Sequence, residues 1–199
     1  MSTIVVATGN LHKVQEIKQI LEPYGYQVLG ANECGGMPEV VEDGTTFREN
    51  AVKKAVAAAK ALKCTVLADD SGLEVFALGG EPGVFSARYA GEGGNDGRNL
   101  AKLLLKMEGV TEREARFVCA IAVASPDGTV LGTCEGEVRG RIDTEARGNG
   151  GFGYDPAFIP DGYSQTFGQL SPAIKNSLSH RANALRVALR EIFHVEPTT

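Results

Sequence analysis

Two long β-type runs, residues 115–124 and 129–138, are separated by only Ser125-Pro126-Asp127-Gly128, and this juxtaposition constrains the fold more than any other feature of the chain. A proline followed by Asp-Gly suits a tight reversal, so the two runs are predicted to pair as an antiparallel hairpin. The first seventy residues read differently. Residues 4–7 form a short apolar strand pattern, 13–21 carry Val14, Ile17, Ile20 and Leu21 on one helical face, 27–29 return to strand, 46–62 to helix and 65–68 to strand. Alternation of this kind lays helices on a sheet, and the hairpin makes that sheet mixed. Residues 99–107 read as a further helix entered from the turn Gly91-Glu92-Gly93-Gly94-Asn95-Asp96-Gly97. Residues 176–193 close the chain as one amphipathic helix through Leu178, Ala182, Leu185, Leu189 and Ile192. The expected fold class is α/β, in a single domain spanning 1–199. The Gly-rich stretches lack the polar length of a flexible tether and are read as loops of a site.

Composition excludes several function classes. A hydrophobic fraction of 43% with 23% charged residues is that of a globular chain, not a disordered one. The net charge of −5, with no basic block, argues against a duplex nucleic-acid partner, which requires concentrated positive charge. It leaves room for a nucleotide, for which a few lysines and a metal suffice. Cys34, Cys64, Cys119 and Cys134 show no paired zinc-ligand spacing and are expected to be free thiols. Met1-Ser2-Thr3 leads into Ile4-Val5-Val6 with no basic region and no long apolar stretch, so the expectation is a soluble cytoplasmic protein without a membrane partner.

Five groups of residues carry chemistry. Asp69-Asp70 follow the 65–68 strand and precede Ser71-Gly72, which predicts both carboxylates at a strand end, in a turn, where a hard divalent cation would relieve their repulsion. An Asp-rich capping turn is the competing reading. Thr8-Gly9-Asn10, with Lys13 in the first turn of the following helix, suits a phosphate cradle built from unpaired backbone N–H groups; Asn10 as a plain helix cap is the alternative. Lys54 falls near Phe47, Ala51 and Ala58 on the apolar stripe of its helix, so it must snorkel or meet a negative partner, and Glu42 and Asp43 lie just upstream. Gly148 to Pro156 sets Phe152 and Tyr154 among glycines, a stacking platform for a flat ligand, with Asp155 as acceptor; both rings tucked into a core is the other reading. Lys175, His180 and Arg181 gather cations near the start of the last helix, which favours an anionic or carbonyl-rich partner.

In chain order, Thr8-Gly9-Asn10-x-x-Lys13, Phe47-x-Glu49-Asn50-Ala51-x-x-Lys54, Asp69-Asp70-Ser71-Gly72-Leu73, Gly80-x-Pro82-Gly83-x-x-Ser86-Ala87-Arg88-Tyr89, Gly150-Gly151-Phe152-Gly153-Tyr154-Asp155-Pro156 and Ser179-His180-Arg181 resemble the inosine/xanthosine triphosphate pyrophosphatase family, the RdgB-like enzymes, over about residues 4–189. The resemblance implies an elongated, twisted mixed sheet flanked by helices, two lobes around a central active-site cleft, and a homodimer. It also implies Mg²⁺-dependent hydrolysis of purine nucleoside triphosphates bearing hypoxanthine or xanthine to the monophosphate and pyrophosphate. By position, Asp70 resembles the general base and a metal ligand, with Asp69 beside it in the catalytic pair, and Glu42 resembles the second ligand. Thr8, Gly9, Asn10, Lys13, Lys54 and Ser71 resemble the triphosphate cradle. Phe152, Gly153, Tyr154, Asp155, Lys175, His180 and Arg181 resemble the nucleoside pocket. A Maf-like pyrophosphatase for other nucleotides and a non-catalytic nucleotide sensor are the alternatives. Residues 169–174 depart from the family, having no acidic side chain where its bacterial members usually carry some.

Overall fold

The computed structural model describes residues 2–196. Among them are six strands, β1 (Ser2–Val6), β2 (Tyr26–Gly30), β3 (Val66–Val75), β4 (Glu114–Ala124), β5 (Val130–Ile142) and β6 (Phe158–Pro160). The α-helices are α1 (Leu11–Leu21), α2 (Phe47–Leu62), α3 (Asp96–Lys106), α4 (Pro172–Leu178) and α5 (His180–Glu191). The strands form one sheet in the order β2-β1-β3-β4-β5-β6. β1 runs parallel to both β2 and β3, setting Val5 opposite Val66 and Val6 opposite Leu67, whereas β5 and β6 are antiparallel. The predicted mixed α/β sheet is therefore present, and the hairpin closes at 125–128 through Gly128 N–H donating to the Ser125 carbonyl at 2.7 Å.

Local chemistry explains where the helices begin. Asn10 caps α1 by accepting from the His12 and Lys13 amides, and Val14, Ile17 and Leu21 form its buried stripe. Thr46 and Glu49 make a reciprocal capping box on α2. Ser171 caps α4 with Pro172 at its first position, so the segment 169–174 that departs from the family serves as a helix start.

The chain divides into two compact units. Among the described residues, the first comprises 2–70, Cys119–Gly136 and 180–196; the second comprises Ser71–Val118 and Glu137–Ser179. In the first, Ile4, Val6, Ile17, Leu67, Ile121, Leu185 and Leu189 belong to one apolar core. Gly136 permits that packing: a Cβ there would stand 2.2 Å from the Ala184 amide nitrogen and 2.5 Å from the His180 carbonyl of α5. In the second, Leu73, Phe117, Ile142, Tyr154, Phe158 and Phe167 share a core, with the Phe117 and Phe158 rings 4.7 Å apart.

Two expectations need correction. Asp69 and Asp70 do not sit in a turn: β3 continues through them to Val75. Aspartate is disfavoured in strands, but cations supplied by neighbouring elements, described below, outweigh that preference. The closing helix is two helices. Ser179 is extended (φ −67°, ψ 159°), so Lys175 lies in the last turn of α4, and the two cations do not share a helix start.

Candidate active site

In β3, consecutive side chains point to opposite faces, so the adjacent carboxylates enter different surroundings. Asp69 is completely buried. Its Oδ2 meets the Lys13 ammonium at 3.0 Å and accepts from Arg181 Nη2 at 3.0 Å and Nε at 3.3 Å, while the Cys119 thiol lies 4.0 Å away. Arg181, 1% exposed, also pairs with Glu16 of α1. Burial pushes the Asp69 carboxyl upward, but Lys13, Arg181 and Lys54 together outweigh it and hold the group far below the usual carboxylate range. Asp69 is thus an anchor whose charged form its neighbours favour.

Asp70 has a different environment. Its Oδ1 accepts from the Lys54 ammonium at 3.1 Å, and the same ammonium lies 3.2 Å from Glu42. The expectation that Lys54 needs a negative partner on its apolar stripe is met by these two carboxylates. Burial raises the Asp70 pKa, Lys54 and Lys13 pull it back, and Glu42 adds to the rise, leaving it above the ordinary value. Lys54 loses by burial but is held firmly protonated by Asp70, Asp69 and Glu42. Asp43 reaches Lys53 on the surface instead of joining this set. Asn50 Oδ1 accepts from the Gly44 amide at 2.8 Å and so ties the segment carrying Glu42 to α2.

Thr8, Gly9 and Asn10 link β1 to α1. The Thr8 hydroxyl accepts from the Asn10 amide at 3.1 Å, and the Asn10 side chain serves as the cap, as the alternative reading had it. A Cβ at Gly9 would meet nothing within 4 Å, so the loop is open to an approaching group. His180 is buried at the start of α5, and Ser71 is half-buried in β3.

The second unit holds the aromatic loop. Asp155 is buried, and its Oδ2 accepts from the Phe152 amide at 2.9 Å and from Lys175 Nζ at 2.6 Å. The Lys175 ammonium stands 4.7 Å from the centre of the Phe152 ring, a cation–π contact. Gly151 adopts φ +70°, and a Cβ there would collide with Asp155 Oδ2 at 2.0 Å. Phe152 stays half-buried, whereas Tyr154 is a core residue whose hydroxyl donates to the Ser86 carbonyl at 2.6 Å. The core reading of these rings therefore holds for Tyr154, and Phe152 is left half-buried beside Lys175.

The donor set suits a hard cation. Asp70 Oδ2 is buried with no hydrogen-bond partner among the described residues, and Glu42 shares the Lys54 ammonium with Asp70. No group of three or more metal-holding side chains is present among those residues. Two carboxylates, with water and phosphate oxygens completing the shell, are what a magnesium-type ion takes beside a nucleotide. Glu16 and Cys119 escaped the sequence reading. Glu16 had a signal, since it lies three residues after Lys13 on one helix face; Cys119 had none, because its partner lies on another strand.

The model of the Ham1 family matches residues 4–191. This chain belongs to the Ham1 family. Among its Ham1 relatives, the dITP/XTP pyrophosphatase of Desulforamulus reducens is 53% identical over 188 residues, covering 94% of this chain and 93% of the relative. That of Bacillus subtilis is 50% identical, covering 94% of each. The Staphylococcus aureus Ham1 protein superposes with a TM-score of 0.81 at 47% identity over 94% of this chain and 95% of that one. A HAM1 protein of Coxiella burnetii gives 0.82 at 39% identity, covering 93% and 95%. The mixed sheet with flanking helices is thus the Ham1 fold.

Proposed function

We propose that this protein hydrolyses the non-standard purine triphosphates of inosine, deoxyinosine and xanthosine to the monophosphate and pyrophosphate, clearing deaminated purines from the nucleotide pool. The observation that carries the reading is the division of labour on β3: Asp69 Oδ2 is locked between Lys13 and Arg181, while Asp70 sits beside Lys54 and the second carboxylate Glu42, each aspartate keeping one buried oxygen without a hydrogen bond among the described residues. The names of the relatives, dITP/XTP pyrophosphatases, support the substrate class.

Glu42 and Asp70 are assigned to hold Mg²⁺, which when bound neutralises phosphate charge and orients water. Asp70 accepts the proton of the attacking water at Oδ2. Lys13 and Lys54 stabilise the charge that spreads over the phosphoryl oxygens, assisted by Ser71 and the Thr8–Asn10 backbone. Phe152 stacks on the base, Lys175 and Asp155 brace Phe152, and His180 with nearby amides meets the 6-oxo group. Adenine presents an amino donor at that position, which would leave those donors unmatched. Arg181 acts through Asp69, not on the base. Three strands run from one unit into the other, which supports a single catalytic domain. No helix among the described residues is long and apolar enough to cross a membrane. With four free cysteines, that supports work in the cytoplasm, and we assign a homodimer on the family resemblance.

The test is Mg²⁺-dependent pyrophosphate release from inosine, xanthosine, deoxyinosine, adenosine and guanosine triphosphates, with Asp70→Asn as control. Preference for the first three, lost in the variant, is expected. Equal rates on all five overturn the base-pocket assignment, and an active variant overturns the role of Asp70.

A further inference from the structure

The Gly-rich turn 91–97 has no part in the chemistry above, yet it delivers a carboxylate to the aromatic loop. Asn95 already caps α3 by accepting from the Arg98 amide at 2.9 Å, so Asp96 is not needed for that task. Its Oδ2 instead accepts from the amide of Gly153, 57 residues away, at 2.8 Å. Gly153 has φ +61° and open space around its Cα, so its own conformation places little constraint on the loop.

The flanking residues are anchored differently. The Phe152 amide goes to Asp155 of the same loop, whose carboxylate also accepts from Lys175, so this bond ties one side of the loop to α4. Tyr154 donates to the Ser86 carbonyl, and Asn99 of α3 donates to that carbonyl at 3.3 Å and to Ala87 at 3.0 Å, while accepting from the Ala90 amide at 2.7 Å. α3, the turn 83–88 and the loop 151–155 thus form a closed brace. Its bond nearest the stacking ring is the one from Asp96, at the helix end where a negative charge is favoured.

We infer that Asp96 is a positioning residue for the base: through the Gly153 amide it holds the Phe152 ring ready to receive the purine, and so sets nucleotide affinity. The inference rests on the proposed function and deepens it. Asp96→Ala is expected to raise KM for inosine triphosphate about tenfold, the size of one charge-assisted hydrogen bond reduced by its exposure, with kcat within about twofold. Calorimetry should show a matching loss for inosine monophosphate, while inhibition by inorganic tripolyphosphate stays at the wild-type level. Asp96→Asn keeps an acceptor and should recover most of the affinity. An unchanged KM and inosine monophosphate affinity in Asp96→Ala overturn the inference. So does an equal loss for monophosphate and tripolyphosphate, which would signal general disruption. Should Asp96→Ala not fold, Asp96→Gly takes its place, with the same rise in KM and the same unchanged tripolyphosphate inhibition expected, and a wild-type KM there refutes the inference. A wild-type protein that releases no pyrophosphate from inosine triphosphate fails the proposed function itself, separately from these comparisons.

Discussion

Arg181→Met removes the guanidinium while keeping much of the side chain's length, and so isolates the charge. In the native protein that group is 1% exposed and bridges Asp69, which has no exposed surface, to Glu16. Breaking a buried ion pair by deleting one partner costs about 3–5 kcal/mol, because the other charge remains in a low-dielectric site. Lys13, 3.0 Å from Asp69 in the native protein, is retained as a partner in the variant, which places the expected loss at the lower end, about 3 kcal/mol. For a chain of this size each kcal/mol moves the melting temperature by about 2–4 °C, so a fall of about 6–12 °C is expected by circular dichroism. Asp69→Asn should be costly as well, and the double variant should cost at least about 1 kcal/mol less than the two singles added, since both remove the same interaction. A loss under about 1 kcal/mol for Arg181→Met, the range of an exposed surface pair, would refute the idea that Asp69 is held by a buried charge network.

Three further outcomes follow from the geometry. Lys54→Ala should lower kcat for pyrophosphate release by about 10²–10³, the effect of losing one preorganised charge at a developing anion, and a drop under tenfold would contradict its placement. Gly151→Ala, whose Cβ would overlap Asp155 Oδ2 in a left-handed backbone position, should weaken inosine monophosphate binding at least about tenfold in calorimetry, a strain of about 1–3 kcal/mol, with the phosphate-side residues untouched. Asp127 in the hairpin turn is held down to about 2 by the Ser125 hydroxyl, the Thr129 amide and the Thr129 hydroxyl. Because its folded value lies below the unfolded one, its stabilising contribution is complete above about pH 4 and is lost as pH falls through about 2. Carboxyl NMR titration should find that value, and an ordinary one would show that the turn bonds are absent in solution.

Much of the fold was legible because its signals are local. The β1 to β3 alternation, the hairpin at 125–128 and the Thr46 cap all follow from residues a few positions apart. The failures arose where a distant partner decides. The extension of β3 through Asp69 and Asp70 depends on Lys13, Arg181 and Lys54 arriving from three helices, and no pattern within 65–75 announces them. The break at Ser179 was hidden by apolar spacing that passes through it, although Ser171-Pro172 marked an earlier helix start. At the site, Lys54 was identifiable as a misplaced cation on an apolar face. The inward turn of Arg181 towards Asp69 was not, since its partner is 112 residues away.

The alternation of side chains along β3 also means that strand register assigns the two aspartates their tasks. β3 is aligned on β1 by the pairing of Val66 with Val5 and Leu67 with Val6. A slip of one residue would exchange the faces of Asp69 and Asp70. Slipped one way, Asp70 would meet the clamp of Lys13 and Arg181 and Ser71 would stand beside Lys54; slipped the other way, Asp69 would stand beside Lys54 and Ala68 would face the clamp. Composition, charge and motif would all be unchanged, yet either the base or the anchor would be lost. A one-residue insertion or deletion upstream in β3 is therefore a more severe lesion for this protein than many substitutions of the aspartates' neighbours.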